Sequence, residues 1–196
     1  MKPVVPMLAR ALSPVASAEV DVTTVCKHHG RFVWATLHRL GVARADLSDA
    51  MQDVLIVVHR RRESFDGSCQ LKTWLFAICV KVAAAQRRRA HVRREEPRAL
   101  VEPVEHDDPE HHALANAAKA RLLCLLDSMA PEQRAVFVMF EIEGLSCAEI
   151  AGELGIPLGT VHSRLHAARE SFRTSLGRLK ARERHEQSRH GPRGAP

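Results

Sequence analysis

The stretch Cys147–His166, CAEIAGELGIPLGTVHSRLH, leaves few folds open to the chain that contains it. Ser146 suits the N-cap of a helix. Glu149, three residues on, completes a capping box in which the two residues satisfy each other's backbone N–H groups. Ile150, Ala151 and Leu154 fall on one face of that helix. Ala151 is small where a second helix must cross closely, and Gly155 stands where a helix ends in a left-handed conformation. Pro157 ends one helix and suits the start of the next. The pattern predicts a helix-turn-helix.

The second helix carries the stripe Val161, Leu165, Ala168, Phe172, Leu176 and Leu179, which stays on one side at about 100° per residue. His162, Ser163, His166, Arg169 and Arg173 fall opposite, with Thr160 and Arg164 on the flanks. These side chains are donors suited to phosphates or to base edges in a major groove. An ordinary helical hairpin with a solvated polar face has the same periodicity; the capping box and the small-residue, Gly and Val spacing favour DNA binding. The formal net charge of +6 agrees with an anionic polymer as partner but does not by itself establish one.

Rich hydrophobic content (45%) with only 4% aromatic residues and no Tyr points to small helical units. Val20–Leu40 carries Val22, Val25, Cys26, His29, Phe32, Val33 and Leu37 at helical spacing and stops at Gly41. Asp46–Arg62 reads as a helix with divided faces: Leu47, Met51, Val54, Leu55 and Val58 against Asp49, Gln52, Asp53, Ile56 and Arg60. After the turn-like Phe65-Asp66-Gly67-Ser68, a third helix over about Gln70–Arg89 is apolar nearly all round, the mark of a central element, and ends in a basic spike, Arg87-Arg88-Arg89. Residues 95–112, rich in Glu and Asp and containing Pro97, Pro103 and Pro109, read as a linker. Helical pattern resumes over Ala113–Met129, and Pro131 opens a further helix that stops at Gly144.

The expected fold is therefore all-α: two small helical domains (20–94 and 113–180) joined by an acidic flexible linker (95–112), the C-terminal one a helix-turn-helix. Residues 1–19 are expected to be a disordered leader, since Arg10 and the prolines break any signal-like apolar run, and 181–196 a disordered basic tail. No run of 18 apolar residues occurs, so no membrane span is expected. The five cysteines form no C-x-x-C pair and sit mostly in apolar patterns, which predicts buried free thiols in a reducing, cytoplasmic setting. Cys26, His28 and His29 suggest zinc, but a second pair of ligands at suitable spacing is missing, so neither metal nor cofactor is expected.

Three segments in order, DLSDAMQDVLIVVHRR, SFDGSCQLKTWLFAICVKVAAAQRRR and LDSMAPEQRAVFVMFEIEGLSCAEIAGELGIPLGTVHSRLHAARESFR, resemble a bacterial RNA polymerase sigma factor of the compact extracytoplasmic-function (ECF) group. The resemblance covers about residues 20–172. It implies that the N-terminal domain binds the polymerase core at its clamp helices and helps open the promoter, with the flap as a further contact, while the C-terminal domain reads the minus-thirty-five duplex. By the same resemblance Asp49, Gln52, Asp53, Ile56 and Arg60 make the core-binding face. Phe65, Asp66, Gly67 and Ser68 belong to a loop that captures a flipped non-template base of the minus-ten element, which offsets an unstacking cost of a few kcal/mol. Trp74, Lys81, Arg87 and Arg88 support the separated single strand. Thr160, His162, Ser163, Arg164, His166 and Arg169 contact the upstream element; His162 stands where the family commonly has Lys or Arg, which makes that contact pH-sensitive. An anti-sigma factor is a further implied partner.

No Gly-rich phosphate loop, paired catalytic carboxylates or nucleophile motif is present, so the chain reads as a specificity subunit and not an enzyme. A stand-alone repressor or activator would use the same helix-turn-helix on a two-fold site, and a pure interaction module would need no DNA at all. The polymerase-docking helix and the single-strand loop speak against both.

Overall fold

The computed structural model describes residues 21–93 and 109–189, so the expected leader, most of the expected linker and the end of the expected tail lie outside the described residues. Every regular element among the described residues is helical. α1 (Val22–Arg39) starts at Asp21, whose carboxylate accepts the Thr23 N–H at 3.2 Å. It ends where Gly41 turns to φ 91° and the Gly41 and Val42 N–H groups return to the His38 and Leu37 carbonyls at 3.0 and 3.1 Å. That double return satisfies carbonyls the helix leaves open.

α2 (Leu47–Arg61) buries Leu47, Ala50, Val54 and Val58 against α1 and α3. α3 (Leu71–Arg93) is the central helix the sequence predicts: Leu75, Phe76, Ile78, Cys79, Val82 and Ala83 are all buried. Each large side chain so removed from water contributes about 1.5–3 kcal/mol.

The second group comprises α4 (Pro109–Asp127), α5 (Pro131–Phe137), α6 (Cys147–Leu154) and α7 (Leu158–Arg189), with α4, α5 and α6 packed on α7. Val161, Leu165 and Ala168 of the expected stripe are buried, and Phe172 stacks on Phe137 with ring centroids 5.2 Å apart. α5 runs on into a π-helical turn, Val138–Ile142, closed by the Glu143 N–H on the Val138 carbonyl at 3.0 Å.

Five expectations need correction. α4 begins at Pro109, inside the expected linker, because the fixed φ of proline suits a first helical turn. α7 continues to Arg189, through most of the expected disordered tail: beyond Gly177 the sequence is rich in good helix formers, and Arg121–Glu183 (3.0 Å) and Ser128–Ser175 (2.8 Å) tie the extension to α4. The thiols are free, but only Cys79 is buried, while Cys26 and Cys124 are exposed because the buried stripes of α1 and α4 are narrower than the sequence pattern suggests. The arginines after α3's core do not all project as a spike, since Arg87 and Arg89 fold back onto the first group. Finally, the two groups are not held apart: buried residues form one continuous cluster, with α1 meeting α4 and α3 meeting α6.

Candidate nucleic-acid and polymerase interfaces

The helix-turn-helix is locally well determined. The Ser146 hydroxyl accepts the Glu149 N–H at 3.3 Å, and Glu149 Oε2 accepts the Ser146 N–H at 2.8 Å and its O–H at 2.7 Å. Those two bonds from Ser146 hold the Glu149 carboxyl below its ordinary range. α6 ends as predicted, with Gly155 at φ 65° and the Gly155 and Ile156 N–H groups returning to the Gly152 and Ala151 carbonyls at 3.3 and 3.1 Å. The Pro157 carbonyl then accepts the Thr160 and Val161 N–H groups at 2.9 and 3.2 Å, which starts α7.

On the outer side of α7, His162, Ser163 and His166 are exposed and Thr160 and Arg164 half-buried. Ser163 donates its hydroxyl to the Thr160 carbonyl at 3.1 Å. Arg169 turns inward: it pairs with Glu141 at 2.7–2.8 Å and lies 5.1 Å from the Phe140 ring centroid. Both partners sit in the π-helical turn, so the extra backbone residue there aims the groups that anchor Arg169. Leu158, an apolar side chain 46% exposed at the first position of α7, was missed from sequence, although its place off the buried stripe was a readable signal.

In the first group, the loop between α2 and α3 is an Asx-type turn. Asp66 Oδ1 accepts the Ser68 N–H at 2.9 Å, which holds the Asp66 carboxyl below its usual range, and Gly67 adopts φ 75° with open space around it. Phe65 and Trp74 flank it, with centroids 5.4 Å apart and planes tilted by 55°. The pair makes an aromatic wall beside the turn, the geometry on which a base can stack. Cys69 is half-buried against Glu153 of α6, and burial first, then Glu153, pushes its thiol up to about 11. On α3, Lys81 and Arg88 are exposed, whereas the half-buried Arg87 donates to the Leu40 carbonyl at 2.7 Å.

On α2, Asp49, Gln52, Ile56 and Arg60 are exposed, with Ile56 at 47% a single apolar anchor among polar groups. Asp53 instead accepts Gln86 Nε2 at 3.0 Å and Arg89 Nη1 at 2.9 Å. No cluster of His, Cys, Asp and Glu suited to a metal ion occurs among the described residues. None of the described helices is long and apolar enough to cross a membrane.

These surfaces coincide with two family matches: Sigma-70 region 2 over residues 25–93 and Sigma-70 region 4 over residues 119–172. The chain is 30% identical over 147 residues to the ECF RNA polymerase sigma-E factor of Escherichia coli, across 67% of this chain and 74% of that one. The chain belongs to the ECF sigma factors. It is also 34% identical to the ECF sigma factor SigE of Mycolicibacterium smegmatis, over 78% of its own length and 60% of the relative's. The structure of the sigma factor RpoE from Bartonella quintana, solved in complex with the anti-sigma factor NepR, shares the fold at TM-score 0.58 and 23% identity, over 79% of this chain and 98% of that one.

As a sigma factor, the chain has its α2 face and the Phe65–Gln70 loop inside the region 2 match and its helix-turn-helix inside the region 4 match. The structure brings Phe65, Asp66, Gly67, Ser68 and Trp74 together, and likewise Thr160, His162, Ser163, Arg164 and His166. It commits Arg87, Arg169 and Asp53 to bonds within the chain.

Proposed function

We propose that this sigma factor binds RNA polymerase core through the α2 face of Asp49, Gln52, Ile56 and Arg60, with Asp53 as a hinge between that face and α3. Phe65–Ser68, Trp74, Lys81 and Arg88 capture the non-template strand of the minus-ten element. Thr160, His162, Ser163, Arg164, His166 and Leu158 face the minus-thirty-five duplex, where an apolar side chain such as Leu158 suits a thymine methyl. Arg87 and Arg169 serve as positioning residues. Residues 20–94 and 113–180 act as the two functional units, tethered so that one bound element raises the effective concentration of the other. The observation that carries this reading is that one chain presents both an exposed apolar anchor in a polar helix face and a capped helix-turn-helix, each within its own sigma-region match.

In the same proposal the protein works in the cytoplasm, where polymerase is, and contributes no catalytic group, the phosphoryl chemistry being the polymerase's. An anti-sigma factor, such as the one bound to the Bartonella relative, is a partner that silences it by covering both faces. The test is in vitro initiation by purified protein with bacterial core polymerase on a library of randomised promoters. Enrichment of paired upstream and minus-ten motifs at fixed spacing is the expected result. Tight, polymerase-independent binding to a two-fold duplex site would replace the reading with a stand-alone regulator.

A further inference from the structure

The most buried charged side chain described here is not on any DNA- or polymerase-facing surface. Arg134 of α5 has a side chain only 6% exposed, and its guanidinium crosses from the second helical group to the first. Its Nε donates to the Arg39 carbonyl and its Nη2 to the His38 carbonyl at 3.3 Å, while Nη1 pairs with Asp127 at 2.5 Å. The acceptors are the last carbonyls of α1, where a helix leaves C=O groups unsatisfied and its dipole is negative. Gly41 makes room: a Cβ there would stand 3.0 Å from Arg134 Nη1. Arg87 of α3 occupies the next carbonyl, that of Leu40, at 2.7 Å.

Two further links run across the same junction. Arg39 Nη1 pairs with Glu143 at 3.0 Å, and Cys69, beside the Phe65–Ser68 turn, lies against Glu153 of α6. The minus-ten loop is thereby placed against the first helix of the element that reads minus-thirty-five. Elements about 25 base pairs apart are separated by roughly 80 Å on straight B-form DNA at 3.4 Å per step. Readers in contact with each other cannot occupy both. We propose that the carbonyl end of α1 is a seat for the Arg134 guanidinium, and that this seat holds the free chain closed, with the minus-ten loop masked, until polymerase and promoter draw the two groups apart. The masking half of this proposal rests on the promoter-binding reading above; the seat itself does not.

Cys69 reports the closed state. Return of its thiol from about 11 to the ordinary 9.0 on losing burial and Glu153 would raise its thiolate fraction about 100-fold at neutral pH. The experiment is timed alkylation of the full chain with N-ethylmaleimide, read cysteine by cysteine by mass spectrometry. Arg134→Met keeps the stem's volume and removes the donors; it is expected to raise the Cys69 rate at least tenfold while buried Cys79 stays protected. An unchanged Cys69 rate in the folded variant would overturn the seat. If Cys79 also becomes reactive, Arg134→Met has unfolded the chain, and the pair Arg39→Ala and Glu143→Gln takes over the test with the same readout. Binding of the free protein to a fluorescent single strand carrying the enriched minus-ten sequence tests masking separately. It is expected to tighten at least tenfold in the open variant; faster alkylation with unaltered strand affinity would leave the seat standing and overturn the masking.

Discussion

Removing the Ser146 hydroxyl tests how the recognition element is held. α6 has only 8 residues, too few to persist as an isolated helix, so its first turn depends on the cap and on packing of Ile150. Ser146→Ala deletes the acceptor for the Glu149 N–H and one of the two donors to Glu149 Oε2. Losing an N-cap of this kind costs about 1 kcal/mol, within a range of roughly 0.5–2. Glu149→Gln weakens the reciprocal bond to the Ser146 N–H, and because both changes act on the same pair the double variant should lose about 0.5–1 kcal/mol less than the sum. The pH dependence has a definite sign. Ser146 holds the Glu149 carboxyl below its unfolded value near 4.5, so the ionic contribution is fully present above that value and disappears as pH falls through the lower folded value. Urea unfolding of the wild type, both single variants and the double variant at pH 7 and pH 3 measures all of this. Additive losses at pH 7, or a gap between wild type and Glu149→Gln that is as large at pH 3 as at pH 7, would refute the reciprocal cap.

Gly155→Ala should cost about 1–2 kcal/mol in the same assay, all of it from the φ 65° backbone since no atom stands within 4 Å of the added Cβ; a neutral result would mean the turn relaxes. Arg164→Ala should lower discrimination among upstream-element variants by about 1–3 kcal/mol, read from promoter-library enrichment, whereas Arg169→Ala should lower unfolding stability through loss of Glu141 and Phe140; the reverse pattern would exchange their roles. Ile56→Glu should weaken association with polymerase core at least tenfold with unchanged thermal stability, because the side chain is exposed and touches no core position; unaltered association would move the docking face off α2.

Much of the fold was legible because local rules and tertiary packing agree in it. The capping box, the left-handed Gly155 and the apolar stripe from Val161 each dictate the same helix-turn-helix, and α3 declares its central place by being apolar on nearly every side. The π-helical turn was not legible: VMFEI has no composition that separates a five-residue return from an ordinary turn, and the arrangement depends on what Arg169 meets across the domain. The helical extension to Arg189 was missed because a charged, glycine-flanked sequence reads as a tail unless Arg121 is known to lie opposite Glu183.

The arginines show why a site is harder to read than a fold. A basic excess and a run such as Arg87-Arg88-Arg89 specify only the number of positive charges, and a guanidinium is as good a donor to a helix-end carbonyl as to a phosphate. What separates the two uses is distance in space between residues far apart in sequence. Arg87 meets Leu40, Arg89 meets Asp53, Arg169 meets Glu141 and Arg134 meets the end of α1, and none of these pairings leaves a periodic trace. Each carbonyl or carboxylate so engaged takes one cation out of the population that can release counterions from DNA. The salt dependence of promoter binding should therefore be set by exposed cations such as Lys81, Arg88 and Arg164, and be shallower than the net charge of +6 with its 29 Lys and Arg suggests.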